Sequence, residues 1–195
     1  MKIRIIVAAG LAITMMAVPF IHENISAAKE KPVVAHEGNK QEISNKEVLK
    51  LVQQWVEKRT YIQNGGAYGE GEYKSFQLND TFYRYLSKDI DTKKEIMDYL
   101  TESTTRSYAE KYLKDIGIIE HKKRLAQVEA DGGSLLQWDQ ASVKYSKMQG
   151  VDRVYLVTVP VGETEEFETY SVSVHHFANK GWKINDFEIY EKANS

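Results

Sequence analysis

The sequence predicts an α+β fold, in which about three helices with an inserted β-hairpin are followed by an antiparallel β-meander. Two observations carry that prediction. Capping signatures and apolar residues three or four apart recur up to Gly117, and beyond it the apolar spacing drops to two, with turn-forming residues between the runs. Helices first and strands afterwards imply helices packed against or beside one sheet, not an alternating parallel architecture. At 195 residues the chain suits one domain plus a targeting segment.

The elements follow in order. Ser44-Asn45-Lys46-Glu47 forms a capping box, and Val48, Leu49, Val52, Trp55, Val56 and Ile62 then fall mostly on one helical face. That helix should stop at Asn64-Gly65-Gly66, where left-handed backbone is cheap. EYKSFQL and TFYRYL, separated by Asn79-Asp80, read as a hairpin. A second capping box, Thr92-Lys93-Lys94-Glu95, opens a short helix with Ile96, Met97 and Leu100 inward. A third helix runs from about Thr105 to Ile116, presents Tyr108, Ala109, Tyr112, Leu113 and Ile116, and closes at Gly117. The segments LAQVEA, SLLQW, ASVKYSKM, VYLVTV, EFETYSVSVHHF and WKINDFEIY then alternate as strands of the meander with one covered face.

The ends have a different character. Lys2 and Arg4, an apolar run from Ile5 to Ile21, and small Ser26, Ala27 and Ala28 make residues 1–28 a signal peptide. Residues 29–42 are polar, carry Pro32 and Gly38, and read as a tether, leaving residues 43–195 as the single domain. A secreted protein, extracellular or held at the cell wall and free of the membrane after cleavage, is the expectation. The chain has no cysteine, so an exported fold must rest on its core without disulfides, and neither a thiol nucleophile nor a Cys-ligated metal exists. Removing Lys2, Arg4 and Glu23 with the leader leaves 24 basic and 27 acidic side chains, a formal charge of −3. That balance speaks against nucleic acid, whose binders need a basic excess, and suits a basic partner.

Catalytic machinery is not visible. No HExxH, GxSxG or phosphate loop occurs. His175 and His176 are neighbours on a predicted strand and point to opposite faces, which leaves one packed and one solvated imidazole in place of a metal pair. No cofactor or metal is expected. Asp89 and Asp91 suit the start of the second helix, where free amides and the helix dipole favour acids; their other reading is a carboxylate pair for acid–base work. HKKR at 121–124 reads as a solvated turn, and Glu163, Glu165, Glu166 and Glu168 as either an edge kept soluble by charge or a patch that steers a basic partner. Tyr83, Tyr85 and Trp138 are read as packing residues, or as the lining of a pocket in a second architecture. That alternative is an NTF2-like or wall-associated ligand-binding domain, suggested by NKGWKINDFEIY.

The stretch VEADGGSLLQW, residues 128–138, sets two glycines after Asp131 between two predicted strands. As a tight hairpin, Asp131-Gly132-Gly133 would pair LAQVEA directly with SLLQW and carry no function. As a protruding tip bare of side chains, it could enter a groove where any side chain clashes. Together with NGGAY (64–68) and YRYLSKDIDTKKEIMDYL (83–100), AQVEADGGSLLQWD (126–139) resembles the cell-wall DL-endopeptidase inhibitors of the IseA type, a likeness covering roughly residues 44–190. The resemblance implies a secreted, non-enzymatic protein with a helical part and a curved sheet. It would inhibit cysteine endopeptidases that cut peptidoglycan between D-glutamate and diaminopimelate, moderating autolysis and cell separation. The family's inhibitory loop carries a Gly-Gly pair, matched here by Gly132-Gly133. Its expected partner is the cysteine DL-endopeptidase catalytic domain at the cell wall, met by a monomer. Beside the glycines, Glu129, Asp131 and Ser134 complete the expected contact set, with the two acids imitating stem-peptide carboxylates.

Overall fold

Two separate four-stranded antiparallel sheets, not one, pack with three helices in the computed structural model, which describes residues 42–130 and 133–190. The expected signal peptide and all but the last residue of the tether lie outside the described residues. The mixed α+β class holds; the arrangement of strands departs from the single meander.

Local signals act where they were read. In α1 (Asn45–Gln63) the Ser44 hydroxyl accepts from the Glu47 amide while the Glu47 carboxylate accepts from the Ser44 amide, closing the capping box. Val48, Leu51, Val52, Trp55, Val56 and Ile62 are buried along one face. Thr92 and Glu95 close the same reciprocal cap on α2 (Lys93–Leu100), and Thr105 caps α3 (Arg106–Asp115). The turn after α1 needs its glycine for two reasons. Gly66 has φ +90°, and a Cβ there would lie 1.9 Å from Ser87 Oγ and 3.0 Å from Ile90 Cδ1. The chain thus folds back tightly against residues 87–90.

The first sheet has the order β1-β2-β4-β3, from β1 (Ser75–Leu78), β2 (Thr81–Tyr85), β3 (Ile119–His121) and β4 (Arg124–Val128). Asn79 and Asp80, both at positive φ, turn β1 into β2; Lys122 and Lys123, also at positive φ, turn β3 into β4. The HKKR run is therefore a hairpin tip, and Ile119–His121 is a strand that the sequence pattern did not mark. LAQVEA was expected to open the meander, yet as β4 it lies between β2 and β3 in the first sheet. SLLQW is not a strand: it makes one bridge, Leu136 to Val161, and runs into a 3-10 turn at Trp138–Gln140. Alternation tells a strand which face is covered, but not which strand is its neighbour.

The second sheet is β5 (Ser142–Gln149), β6 (Asp152–Pro160), β7 (Phe167–Phe177) and β8 (Gly181–Ile189), each antiparallel to the next. Its free β8 edge is partly closed by residues 103–105, since Thr105 N donates to Ile184 O at 2.8 Å and Ile184 N donates to Ser103 O at 2.9 Å. Inward residues of this sheet, including Tyr155, Val157, Val159, Val172, Val174 and Ile184, join Trp55, Ile62, Leu86, Ile96 and Leu100 in one buried cluster. The Tyr155 hydroxyl donates to Ile43 O at 3.1 Å, tying the chain just before α1 to β6. Among the described residues no helix is long and apolar enough to cross a membrane.

Candidate functional site

The segment that follows β4 leaves one sheet and is caught by the other. On the near side, Glu129 N donates to Phe82 O at 2.9 Å, continuing the β2–β4 ladder by one residue. The Glu129 carboxylate accepts a hydrogen bond from the Tyr73 hydroxyl, which raises the pKa of that phenol above its ordinary value and so disfavours its ionisation. On the far side, Gly162 N donates to Leu135 O at 2.7 Å and Gln137 N donates to Pro160 O at 2.9 Å, so the backbone is gripped by the β6–β7 turn. Ser134 Oγ accepts from Leu136 N at 3.2 Å, a local turn that fixes its direction.

The stretch VEADGGSLLQW is therefore a crossover between two sheets and not a hairpin. The pairing of LAQVEA with SLLQW that a simple turn requires does not occur, because β4 has β2 and β3 on its two sides. Of the residues expected to contact a partner, Glu129, Gly133 and Ser134 are exposed, while Asp131 and Gly132 lie outside the described residues. A Cβ built on Gly133 would meet nothing within 4 Å. Leu135, next along, is 73% exposed, and no pattern in the sequence singled it out.

A cleft of about 350 Å³ lies at the foot of this crossover, with Gly133 and Ser134 on one side and Gln63 and Asn64, at the end of α1, on another. Arg84 of β2 and Gln127 of β4 face each other across the ladder, and both donate to Gln63 O, the Gln127 bond measuring 3.0 Å. Two donors on one carbonyl satisfy a group that a helix C-terminus leaves open, and they place positive charge at the negative end of α1. This clamp joins helix and sheet below the crossover. Sequence reading passed over Arg84 and Gln127; the one available signal was their polarity at inward positions of alternating strands.

The other candidate groups disperse. Asp89 accepts from the hydroxyls of Ser87 and Tyr61, the latter at 2.6 Å, and Asp91 pairs with Arg124 Nε at 2.6 Å. Neither acid caps α2, which Thr92 and Glu95 serve, so the reading as helix-start acids is corrected, and each acid is held by a different partner. Burial disfavours the Asp89 carboxylate, but the two hydroxyl bonds outweigh it and hold the group below its usual range, while burial and Asp89 together push the Tyr61 phenol up to about 12. His175 Nδ1 lies 2.6 Å from Asp152, and His176 packs on Trp182 with ring centroids 5.0 Å apart. Among the described residues no group of three or more His, Asp or Glu is placed to hold a metal. Tyr83 and Tyr85 stack around Phe76, and Trp138 packs on Tyr170 at 5.1 Å. None of these three lines the cleft.

The described residues thus form an α+β domain with an exposed crossover beside a cleft. The chain belongs to the IseA DL-endopeptidase inhibitor family, whose model matches residues 39–189. That is a family of endopeptidase inhibitors, not of enzymes. A relative in Bacillus subtilis (strain 168), the protein YoeB, is 32% identical over 114 residues, a match that takes in 58% of this chain and 62% of the relative.

Proposed function

We propose that the protein is a secreted inhibitor of cysteine DL-endopeptidases that cleave peptidoglycan, acting at the cell wall as a monomer by lodging the tip around Gly132-Gly133 in the enzyme's substrate groove. The observation that carries this reading is the exposure of Gly133, with open space where a side chain would begin, between stems fastened to two different sheets. Fastening both stems lowers the entropy lost when the tip is captured. A groove shaped for D-configured substrate excludes most L side chains, whereas glycine enters that region of φ without steric cost. With no D-γ-glutamyl bond in the tip, the enzyme has nothing to cut. Family membership supports the inhibitory role.

Charge around the tip has a part in this reading. Glu163, Glu165 and Glu166 stand exposed on the turn whose Gly162 amide holds Leu135, so the acidic patch is a neighbour of the tip. Such a patch draws in a basic enzyme surface and speeds encounter more than it deepens affinity. Glu129 imitates a stem-peptide carboxylate only by exchanging its Tyr73 hydroxyl for a cation of the enzyme, and Asp131 supplies the second acid.

The test mixes the purified protein with a cysteine DL-endopeptidase catalytic domain and follows hydrolysis of cell walls. Wild-type protein slows the reaction, and the double variant Gly132→Val, Gly133→Val does not, with unchanged circular dichroism. Absence of slowing by the wild type at equimolar or higher ratios overturns the proposed function; full potency in the double variant removes the tip from it. Association rates should fall as salt is raised, and a flat response discards steering by the Glu163 turn.

A further inference from the structure

Leu135 belongs to a larger apolar surface. The bonds from Gly162 N to Leu135 O and from Gln137 N to Pro160 O, with the bridge between Leu136 and Val161, set residues 135–137 antiparallel to the end of β6. Leu135 therefore lies opposite Gly162, and Gln137 opposite Pro160. Pro160 is paired in turn with Phe167 at the start of β7, and Thr158 with Thr169, whose hydroxyls meet at 3.2 Å on one face. Tyr190 N donates to Thr169 O at 2.8 Å, so Tyr190 stands beside Thr169. Side chains alternate between the two faces of a sheet. Val159 and Tyr170 are buried and Leu136 packs against the core, which places Leu135, Pro160, Phe167 and Tyr190 together on the opposite, outer face.

This patch is open to solvent: Leu135 is 73% exposed, Phe167 62% and Tyr190 44%. Its border is charged, because Glu163, Glu165 and Glu166 stand exposed on the turn that joins β6 to β7. An apolar centre with a charged rim is how protein interfaces are built. Gly133 is only two residues from Leu135, at most about 7 Å of chain, so a surface that receives the tip comes up against the patch as well. The tip also needs such help. A stable protein complex buries about 800 Å² on each partner and draws most of its affinity from a few large side chains, and two glycines have none to offer. Glycines let the tip enter a narrow groove, but contact elsewhere must hold it there. The patch is suited to that task, since it lies at the end of the sheet that the main core backs, where little order is left to lose on binding.

We propose that Leu135, Phe167 and Tyr190 form a second contact surface, which docks on an apolar wall beside the groove that the tip enters, with basic side chains of the endopeptidase opposite Glu163, Glu165 and Glu166. The assignment rests on the proposed function and adds to it the residues that set how long the complex lasts. Charge selects this occupant over two others. A polyanionic wall polymer is repelled by the three glutamates, and a second copy of the chain, laid patch to patch, would bring its own glutamates against them.

Leu135→Ser, Phe167→Ser and the double variant are compared with the wild type for inhibition of wall hydrolysis and for binding kinetics on the same cysteine DL-endopeptidase catalytic domain. The control is Val151→Ser, which removes a side chain 75% exposed in the turn between β5 and β6, at the other end of β6 and about 30 Å away. Each single variant should weaken inhibition about tenfold, through faster dissociation at a nearly unchanged association rate, while Val151→Ser keeps wild-type potency. Phe167→Leu, still apolar, should recover most of the loss. Melting temperatures should stay at the wild-type value, because these side chains are exposed. Should Leu135→Ser disturb the far stem, Phe167→Ser decides alone. Potency within about twofold of wild type in the double variant, or an equal loss in Val151→Ser, overturns the proposal. So does a wild-type dimer in sedimentation that the double variant dissolves, which assigns the patch to a second copy, or lost binding to washed walls with inhibition retained, which assigns it to wall polymer. If the wild type does not inhibit, the proposed function and the contact surface fall together; if it inhibits and the double variant is equally potent, only the contact surface falls.

Discussion

The two sheets of this protein divide stability and exposure between them. Strands of the first sheet are three to five residues long, and its fully covered positions come down to Leu125, Ala126 and Gln127 of β4. Strands of the second run eight to eleven residues, and β6, β7 and β8 together bury a row of valines with Tyr155, Tyr170, Ile184 and Phe187. The crossover at Gly133 starts on the lightly buried sheet and ends on the heavily buried one. One stem can therefore be altered at little cost to the fold, and the other rests on a turn that the main core holds in place.

That contrast can be broken by substitution. Ile184→Ala, in the second sheet, removes a side chain that is 0% exposed and should cost about 2–5 kcal/mol in denaturant unfolding, whereas Phe82→Ala, 58% exposed in the first, should stay within about 0.5 kcal/mol. Equal losses would mean that the two sheets share the core evenly. Gly66→Ala probes the joint between α1 and the segment after β2. Its positive φ and the 1.9 Å approach of Ser87 Oγ predict a loss of about 1–3 kcal/mol, read as a lowered melting temperature, and partial recovery in the double variant with Ser87→Gly. A melting temperature unchanged by Gly66→Ala would show that the turn yields.

Finer substitutions address the stems of the crossover. Tyr73→Phe keeps the ring against Tyr68, at a centroid distance of 5.2 Å, and deletes the bond to Glu129; stability should change by less than about 1 kcal/mol at this exposed site. If the near stem matters for the tip, inhibition changes in this variant while unfolding does not. The smallest effect is a titration. Because Glu129 holds the Tyr73 phenol protonated to higher pH, the bond contributes fully below the unfolded phenol value, about 10, and is lost as pH rises through the raised folded value. Glu129→Gln should bring the phenolate absorbance of Tyr73 to lower pH, and an unmoved curve would mean that the bond does not persist in solution.

The same division marks how far the sequence could be read. Both capping boxes, the stop at Asn64-Gly65-Gly66 and the Asn79-Asp80 turn are local chemistry, settled within four residues of chain, and each stands where it was expected. The long strands of the second sheet were legible because alternation over eight or more residues is a strong signal. Ile119–His121 was too short to show one. At the site, Glu129 and Ser134 were marked by their position beside the glycines, while Arg84, Gln127, Tyr73 and Leu135 carry no motif. Their roles arise from partners that lie 21 and 64 residues away for the two donors to Gln63, 56 for Tyr73 and Glu129, and from the Gly162 amide in the case of Leu135.

By itself, then, the sequence determined the helices with their caps, the tight turns, the covered face of β6, β7 and β8, though not of β5, whose residues are almost all exposed, and the presence of two adjacent glycines after an acid. Only the tertiary structure decided that LAQVEA joins the first sheet and that SLLQW is held by the β6–β7 turn. Caps and turns are closed by bonds within a few residues, so their energy is written locally. Which strand lies beside which is chosen by the burial of whole faces at once, a sum over residues distant in the chain that no short stretch contains.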